Sequence, residues 1–272
     1  MLCSLICANV VGAQHEAGFS AAPLRTHWSG LAGTGKSINQ LGEIVGYSES
    51  DDGLYIEHAS KWHLGNLTDL GRDFGHADSH AAAINNAGLI VGRVSWGAPG
   101  SQAVLWKDGV IEELQGLGGR FSAANDINEA GIIIGSSDGE NGVSYGCRWE
   151  NGLVTVLEPT VEGVDCGAKA INNVGTVVGW QRDYNSVAVI WVDGNPSLLF
   201  PNRSSESRAY GINDSGSIVG EIFNDEDGEW YPFHWQSGEW EYLADRPGRA
   251  LGVNSLAARG RTPFSCARQL YA

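Results

Sequence analysis

One short motif recurs along this chain at a nearly constant spacing. An Ile-Asn or Val-Asn pair occurs six times, and five of the six copies continue as Asn-x-x-Gly followed by a β-branched run. The asparagines are 46, 43, 44, 41 and 41 residues apart. Such a period is typical of an array of one supersecondary unit, in which each copy packs against the next. The six asparagines are Asn39, Asn85, Asn128, Asn172, Asn213 and Asn254.

Each unit predicts four strands. Small residues at alternate positions before each asparagine favour a first strand that packs closely against other backbones. Asn-x-x-Gly predicts a tight turn, and the β-branched run that follows it predicts a second strand. A third strand ends in a Trp that recurs every 42 to 44 residues, and an Asp-Gly or Asn-Gly pair usually follows it. That pair predicts a hairpin to a short fourth strand. The Trp side chains are expected to fill the space between units.

Four antiparallel strands in about 43 residues correspond to one blade of a β-propeller. The sequence therefore predicts an all-β fold, a β-propeller of four-stranded blades. Five units are complete, and a sixth begins at Gly248. Residues 248–272 and residues 14–32 together match one period of 44 residues. We therefore expect six blades, the last closed by both chain ends, because closure removes exposed sheet edges. A five-bladed ring or an open fragment is the alternative.

The start of the chain predicts export. Residues 1–13 are apolar, uncharged and end in small residues, which is typical of a truncated signal peptide, although a buried first strand is the alternative. Residues 14–272 then form a single repeat domain. We expect a secreted protein, extracellular or periplasmic. In that compartment a Cys147–Cys166 disulfide is one prediction, and a small buried Cys166 is the other.

The combined motif resembles a known repeat family. Ile-Asn-x-x-Gly-x-Ile/Val-Val-Gly, joined to His-Ala-x-x-Trp, is similar to the HAF-type extracellular repeat family, with the best match over residues 58–92. His-Ala itself occurs only at His58-Ala59. The resemblance implies a secreted bacterial propeller-like protein and implies no defined reaction.

Charge and motifs exclude several functions. A net charge of −15 disfavours nucleic acid and anionic membrane surfaces, because phosphate binding needs clustered Lys and Arg. After the first residues no apolar run is long enough to span a membrane. No hydrolase, metalloprotease or phosphate-binding motif is present, so the sequence assigns no catalytic residue.

The loops after the second strands differ between units. Three of them, in the first, third and fifth units, gather carboxylates, which are oxygen ligands that suit Ca²⁺, and a solvated acidic face is the alternative. Aromatic residues in these loops are candidates for stacking on a sugar ring or for packing a loop against its blade. The candidate calcium ligands are Asp51, Asp52, Asp225 and Asp227, and the candidate ligand-binding residues are Trp96, Trp180, Tyr184 and Trp230. No other cofactor is indicated.

Three functions fit these features. The first is a secreted binding or scaffold module that presents variable loops on one face to a glycan or an extracellular protein. The second is an extracellular carbohydrate-active enzyme, a glycoside hydrolase or lyase, which needs two converging carboxyls. The third is a structural domain of a larger cell-surface protein. The fold alone does not choose between them.

Overall fold

The computed structural model describes residues 24, 33–49, 56–72, 77–95, 100–201 and 205–253. These residues form five antiparallel sheets of four strands, each a simple meander in chain order, and contain no α-helix. None of their segments is a helix long and apolar enough to cross a membrane. The strands are β1 (Gly33–Ile38), β2 (Ile44–Glu49), β3 (Glu57–His63), β4 (Asn66–Asp69), β5 (Asp78–Ile84), β6 (Ile90–Ser95), β7 (Gln102–Lys107), β8 (Val110–Glu113), β9 (Gly118–Ile127), β10 (Ile133–Gly139), β11 (Ser144–Glu150), β12 (Leu153–Leu157), β13 (Asp165–Ile171), β14 (Val177–Arg182), β15 (Ser186–Val192), β16 (Asn195–Leu198), β17 (Ser207–Ile212), β18 (Ile218–Asn224), β19 (Glu229–Gln236) and β20 (Glu239–Tyr242).

The prediction of an all-β array of four-stranded units is thereby confirmed. The first strands of successive sheets contact one another in chain order, from β1 through β5, β9 and β13 to β17. Each sheet also packs its second and third strands against the first strand of the following sheet. The first strands therefore form the inner side of the array, and the hairpins to the fourth strands lie outside.

The repeated asparagine joins neighbouring units as well as closing its own turn. The Oδ1 atom of Asn85 accepts hydrogen bonds from the amides of Ala87 and Leu89, both at 3.1 Å. Its Nδ2 atom donates to the carbonyl oxygen of Asn128, in the next unit, at 3.1 Å. The same side-chain bond links Asn39 to Asn85, Asn128 to Asn172 and Asn172 to Asn213. A relay of buried amides thus runs along the inner side, which explains why asparagine recurs where many residues could form a turn.

Replacing Asn128 with alanine is expected to cost about 2–4 kcal/mol of unfolding free energy, because in a buried site the amide of Ile132 loses its acceptor and the carbonyl of Asn172 loses one of its two donors. Urea unfolding followed by tryptophan fluorescence measures the loss. Asn195→Ala is the control, because Asn195 is exposed and bonds only within its own hairpin. Equal losses in the two variants would contradict the relay.

The hairpins to the fourth strands follow the predicted turn chemistry. Asp108 and Gly109 both have positive φ, 52° and 77°, and the Asn151, Asp193 and Ser237 pairs behave alike. Two positive φ values match the right-handed twist of the flanking strands. The first unit makes the same turn at Leu64-Gly65, which no Asn or Asp signals in the sequence.

The tryptophan column lies between units, as predicted. The Nε1 atom of Trp106 donates to the carbonyl oxygen of Leu70 in the preceding unit at 3.1 Å. Trp149 and Trp191 reach the corresponding carbonyls of the units before them at 2.8 and 2.7 Å. All three side chains are buried. Each therefore adds apolar contact and one directed bond to the interface between two sheets.

A small polar residue at the start of each first strand forms another link. The hydroxyl of Ser79 accepts a hydrogen bond from the amide of Ala59 in the preceding unit, and Ser122 and Ser207 do the same. Cys166 replaces the serine, and its Sγ accepts from the amide of Gly146 at 3.2 Å. Cys147 and Cys166 are both free and buried, so the disulfide prediction is wrong and the small buried residue is the right interpretation. Burial raises the pKa of the Cys166 thiol to about 11, which keeps it protonated.

Candidate functional site

The non-repeating side chains of the inner strands form a continuous group, which we call the inner belt. It comprises the residue five positions before each asparagine, its cross-strand partner in the second strand, and a bulged residue three positions before the asparagine. A bulge redirects a side chain out of the regular alternation. The cross-strand pairs are Thr34/Tyr47, His80/Arg93, Ala123/Ser136, Gly167/Trp180 and Arg208/Glu221, the bulged residues are Lys36, Ala82, Asn125, Lys169 and Tyr210, and Arg249 and Leu251 continue the belt.

At the first unit boundary the belt holds an aromatic and ionic cluster. The rings of Tyr47 and His80 stack with centroids 4.3 Å apart, although they belong to different sheets. The Nη2 atom of Arg93 lies 3.2 Å from Nδ1 of His80, and Nε2 of His80 lies 2.6 Å from a carboxylate oxygen of Glu57. Burial, and then the charge of Arg93, lower the pKa of His80. A neutral ring that accepts from Arg93 at Nδ1 carries its proton on Nε2, which faces Glu57.

At the other end the belt holds a buried carboxylate. The side chain of Glu221 is fully buried on β18. It accepts hydrogen bonds from Arg208 at 3.0 Å and from the hydroxyl of Tyr210 at 2.6 Å, and Nε of Arg249 lies 2.7 Å from its second oxygen. Burial and the hydrogen bond to Glu221 raise the pKa of Tyr210 to about 12. Two hydrogen bonds to one oxygen and one ion pair to the other compensate the desolvation of this single charge, so the cluster has the chemistry of a structural ion pair.

The two predicted tryptophans of the described loops lie in strands and are half-buried. Trp180 belongs to β14 and packs its ring against the backbone of Gly167. Trp230 belongs to β19, and the Arg208 guanidinium lies 4.8 Å from its ring centroid. Both side chains therefore pack within or beside the belt. Tyr184 lies in the β14–β15 loop and is 94% exposed.

The predicted calcium ligands divide into two groups. Asp51 and Asp52, like Trp96 among the aromatic candidates, lie outside the described residues. Asp225 and Asp227 lie in the β18–β19 turn, where Asp225 bonds the hydroxyl of Ser205 at 2.5 Å and Asp227 bonds that of Tyr231 at 2.6 Å. Within the described ranges, no group of three His, Cys, Asp or Glu residues could hold a metal ion. Both carboxylates here accept hydrogen bonds from hydroxyl groups of the chain.

An open cleft of about 590 Å³ lies beside this turn, on the fifth sheet. The rings of Tyr231 and Tyr242 line it with centroids 5.5 Å apart, and Trp240 meets Tyr242 edge to face at 5.2 Å. The hydrogen bond to Asp227 raises the pKa of Tyr231 to about 12. The other lining residues are Asn224, Leu243, Ala244 and Asp245. Aromatic faces beside amide and carboxylate groups can bind a partly apolar, hydroxylated ligand.

The sequence pattern predicts ligand binding in the loops, and neither the belt nor this cleft was predicted from it. A signal for the belt was available. Within the first strands the positions three and five before each asparagine change from unit to unit, while the positions four and six before it carry only Gly, Ala, Ser or Cys. Five belt positions carry Lys or Arg and one carries a carboxylate, in a chain with a net charge of −15. The belt is therefore a cationic surface inside an acidic protein.

Beside the belt, the carboxyl group of Asp126 is expected to make the protein's stability depend on pH. Its carboxylate accepts bonds from the amides of Ile127 and Ile171, both at 2.9 Å, yet desolvation raises its pKa to about 6. The Asp126 carboxyl therefore keeps its proton to a higher pH in the folded state than in the unfolded state. Stability should therefore fall as pH rises from about 4 to about 6, by at most about 3 kcal/mol, and stay constant above.

Asp126→Ser should remove this pH dependence. Ser37 stands at the same repeat position in the first unit and accepts a hydrogen bond from the amide of Ile84, in the next unit, without carrying a charge. Urea unfolding of both proteins between pH 4 and 7 measures the difference. A constant difference across this range would contradict the assignment.

Comparison with known proteins supports the fold. No protein-family model and no curated protein matches the chain. The crystal structure of a puromycin hydrolase mutant complexed with PGG is similar with a TM-score of 0.64 and 15% identity, over 85% of this chain and 40% of that chain. A Mycobacterium tuberculosis puromycin-hydrolyzing peptidase matches with a TM-score of 0.60 and 13% identity, over 83% and 39%. This chain thus spans about two fifths of those proteins, and the likeness shows a propeller-like all-β fold alone.

Proposed function

We propose that this protein is a secreted binding module of the propeller type, which takes a glycan in the cleft on its fifth sheet. The observation that carries the proposal is the pair of tyrosine rings, Tyr231 and Tyr242, beside the polar groups of Asn224 and Asp245 in an open cleft. Aromatic rings stack on the apolar faces of sugars, and amide and carboxylate groups accept or donate to their hydroxyls. The resemblance to HAF-type extracellular repeats and the apolar residues 1–13 support secretion.

A glycan array that carries neutral and acidic oligosaccharides tests this function. Tyr242→Ala should weaken binding of the selected oligosaccharide at least tenfold, which is about 1.4 kcal/mol. Tyr231→Ala should act alike, and Tyr145→Ala is its matched control. Tyr145 holds the same repeat position in the third unit, and its hydroxyl accepts a hydrogen bond from Asn141, whereas the Tyr231 hydroxyl donates one to Asp227. Absence of binding to every glycan, or an equal loss in Tyr145→Ala, would refute the proposal.

The alternative function is a carbohydrate-active enzyme, and incubation of the protein with the selected oligosaccharide distinguishes it from a binding module. An enzyme would release reducing ends from the bound oligosaccharide, whereas a binding module would leave it intact. Among the described residues that line the cleft, Asp245 is the one carboxylate. A glycosidase needs two carboxyl groups, one as the general acid and one as the nucleophile or general base.

We further propose that a sixth unit closes the array through both chain ends. Contacts between residues 248–253 and the fifth sheet support this proposal. The amide of Gly248 donates to the carbonyl of Trp230 at 2.9 Å, as Ser122 does to Ser101 at 2.8 Å in the equivalent positions. A Cβ added to Gly211 would lie 3.0 Å from Cα of Gly252, so this segment packs directly on β17.

Spin labels at Ser29 and Ser255, in a chain whose Cys266 is replaced with serine, test the closure. Strands of one sheet lie about 4.8 Å apart, so closure predicts one narrow distance distribution of about 5–15 Å. A broad or long distribution would support an open array. Detection of the protein outside the cytoplasmic membrane, with its first residues removed, tests secretion separately.

A further inference from the structure

The cleft on the fifth sheet combines aromatic faces with negative charge. The rings of Tyr231 and Tyr242 are inclined at 59° with centroids 5.5 Å apart, so two ring faces of different orientation line one cleft. Asp245 lines the same cleft, and the carboxylate of Asp227 lies 2.6 Å from the Tyr231 hydroxyl. Among the described residues, no Lys or Arg forms an ion pair with either carboxylate. Both carboxylates therefore leave negative charge beside the ring faces.

The third unit carries an uncharged version of the Asp227–Tyr231 contact. There the hydroxyl of Tyr145 accepts a hydrogen bond from the Asn141 amide at 2.9 Å, whereas the Tyr231 hydroxyl donates to Asp227. A phenol that donates to a carboxylate gains electron density in its ring, and one that accepts from an amide does not. The other oxygen of Asp227 accepts from the amide of Glu229 at 3.1 Å, which fixes the carboxylate. The ring face of Tyr231 is therefore more negative than that of Tyr145 and suits a cation.

The chain around the cleft is acidic as well. Residues 224–246 contain one Lys or Arg, which is Arg246, against seven carboxylates. The seven are Asp225, Glu226, Asp227, Glu229, Glu239, Glu241 and Asp245. Such a surface attracts cationic ligands and repels anionic ones, and salt weakens both effects. The sign of the charge thus selects among the ligands that an aromatic cleft can hold.

We propose that the glycan bound in this cleft is a cationic amino sugar oligosaccharide, whose ammonium group lies against the Tyr231 face and within reach of Asp245. The inference rests on the proposed function and narrows it from glycans in general to one class. Sugar C–H groups and an ammonium group both favour a negative ring face. An acidic sugar would instead meet like charge at Asp227 and Asp245.

Calorimetric titration of the full chain with a glucosamine tetrasaccharide, its N-acetylated form and a galacturonic acid tetrasaccharide tests the class. Acetylation removes the positive charge and keeps the sugar ring faces. At about pH 5.5 the sugar amine is protonated and solvated carboxyl groups are ionised. We expect the amine form to bind at least about fivefold more tightly than the acetylated form, and the acidic form to bind most weakly. The preference should shrink in about 0.5 M NaCl.

Asp227→Asn is the most specific variant, because it gives the fifth unit the Asn and Tyr pair of the third. We expect it to lose most of the preference for the amine form, while the acetylated form keeps its affinity within about twofold. Asp245→Asn should act alike, because it removes the carboxylate that lines the cleft. Glu112→Gln is the matched control, since it removes one carboxylate from an exposed position of β8, in the second sheet.

The outcomes separate the ligand class from the proposed function. Equal affinity for the amine and acetylated forms, tightest binding of the acidic form, or an unchanged preference in Asp227→Asn would overturn the inference and leave the glycan proposal standing. An equal loss of preference in Glu112→Gln, or binding of the amine form that Tyr242→Ala does not weaken, would show general attraction to an acidic surface and also overturn it. Absence of binding to all three oligosaccharides overturns the inference, and the glycan array then decides the function.

Discussion

Replacing Gly135 with alanine is expected to cost about 4 kcal/mol or more of unfolding free energy, enough to unfold a marginally stable chain. Gly135 ends the Ile-Ile-Ile-Gly run of the third unit. A Cβ at this position would lie 2.0 Å from the carbonyl oxygen of Ala123 and 2.9 Å from Cα of Ala124. Both obstacles are backbone atoms of the paired strand, so no side-chain rotation relieves the contact. The strands would have to separate next to the bulge.

Gly248→Ala provides the matched control, because a Cβ at Gly248 meets nothing within 4 Å. We expect it to change stability by less than about 0.5 kcal/mol. Urea denaturation and thermal melting of both variants, with circular dichroism of the sheets as the signal, compare them. A Gly135→Ala protein with the stability of the parent would show that the β9–β10 contact is looser than described.

The same contact explains a repeat whose cause the sequence did not reveal. Gly46, Gly92, Gly179 and Gly220 would each place a Cβ 1.9–2.0 Å from a carbonyl oxygen of the first strand. The sequence predicted the strand and its β-branched face correctly, because these depend on local periodicity. It gave no reason for the glycine, because the bulge that brings the two backbones together depends on pairing between strands.

Around the candidate site, too, some features could be predicted from the sequence and others could not. The Trp column and the Asn-x-x-Gly turns were predictable, since each unit needs them and repetition makes them visible. The relay from Asn85 to Asn128 was not, because its bonds connect residues 43 positions apart across a sheet boundary. Trp180 and Trp230 were expected in loops, yet they occupy strands because the second and third strands extend further than the apolar runs. The positions of the belt side chains depend on the order of the sheets, which composition does not encode.

Arg208 is the second position where a single change should have a large effect. Its Nη1 atom lies 3.0 Å from Oε1 of the fully buried Glu221. The two residues are directly opposite one another in the pairing of β17 with β18. Arg208→Met would leave a buried carboxylate with Tyr210 and Arg249 as its remaining partners. We expect a loss of about 3 kcal/mol in unfolding free energy, because an undercompensated buried charge costs more than the pair contributes. Arg249→Met should cost less than about 1 kcal/mol, since the Arg249 side chain is 59% exposed.

A double-mutant cycle separates the charge from the packing. Glu221→Met removes the buried carboxylate and leaves Arg208, which can turn its guanidinium towards solvent. In the combined Arg208→Met and Glu221→Met protein, two apolar side chains replace the ion pair, so we expect recovery of most of the stability that Arg208→Met loses. Chemical denaturation of the four proteins gives the coupling energy. Additive losses in the double variant would show that Arg208 stabilises the fifth sheet by packing on Trp230, and not by neutralising Glu221.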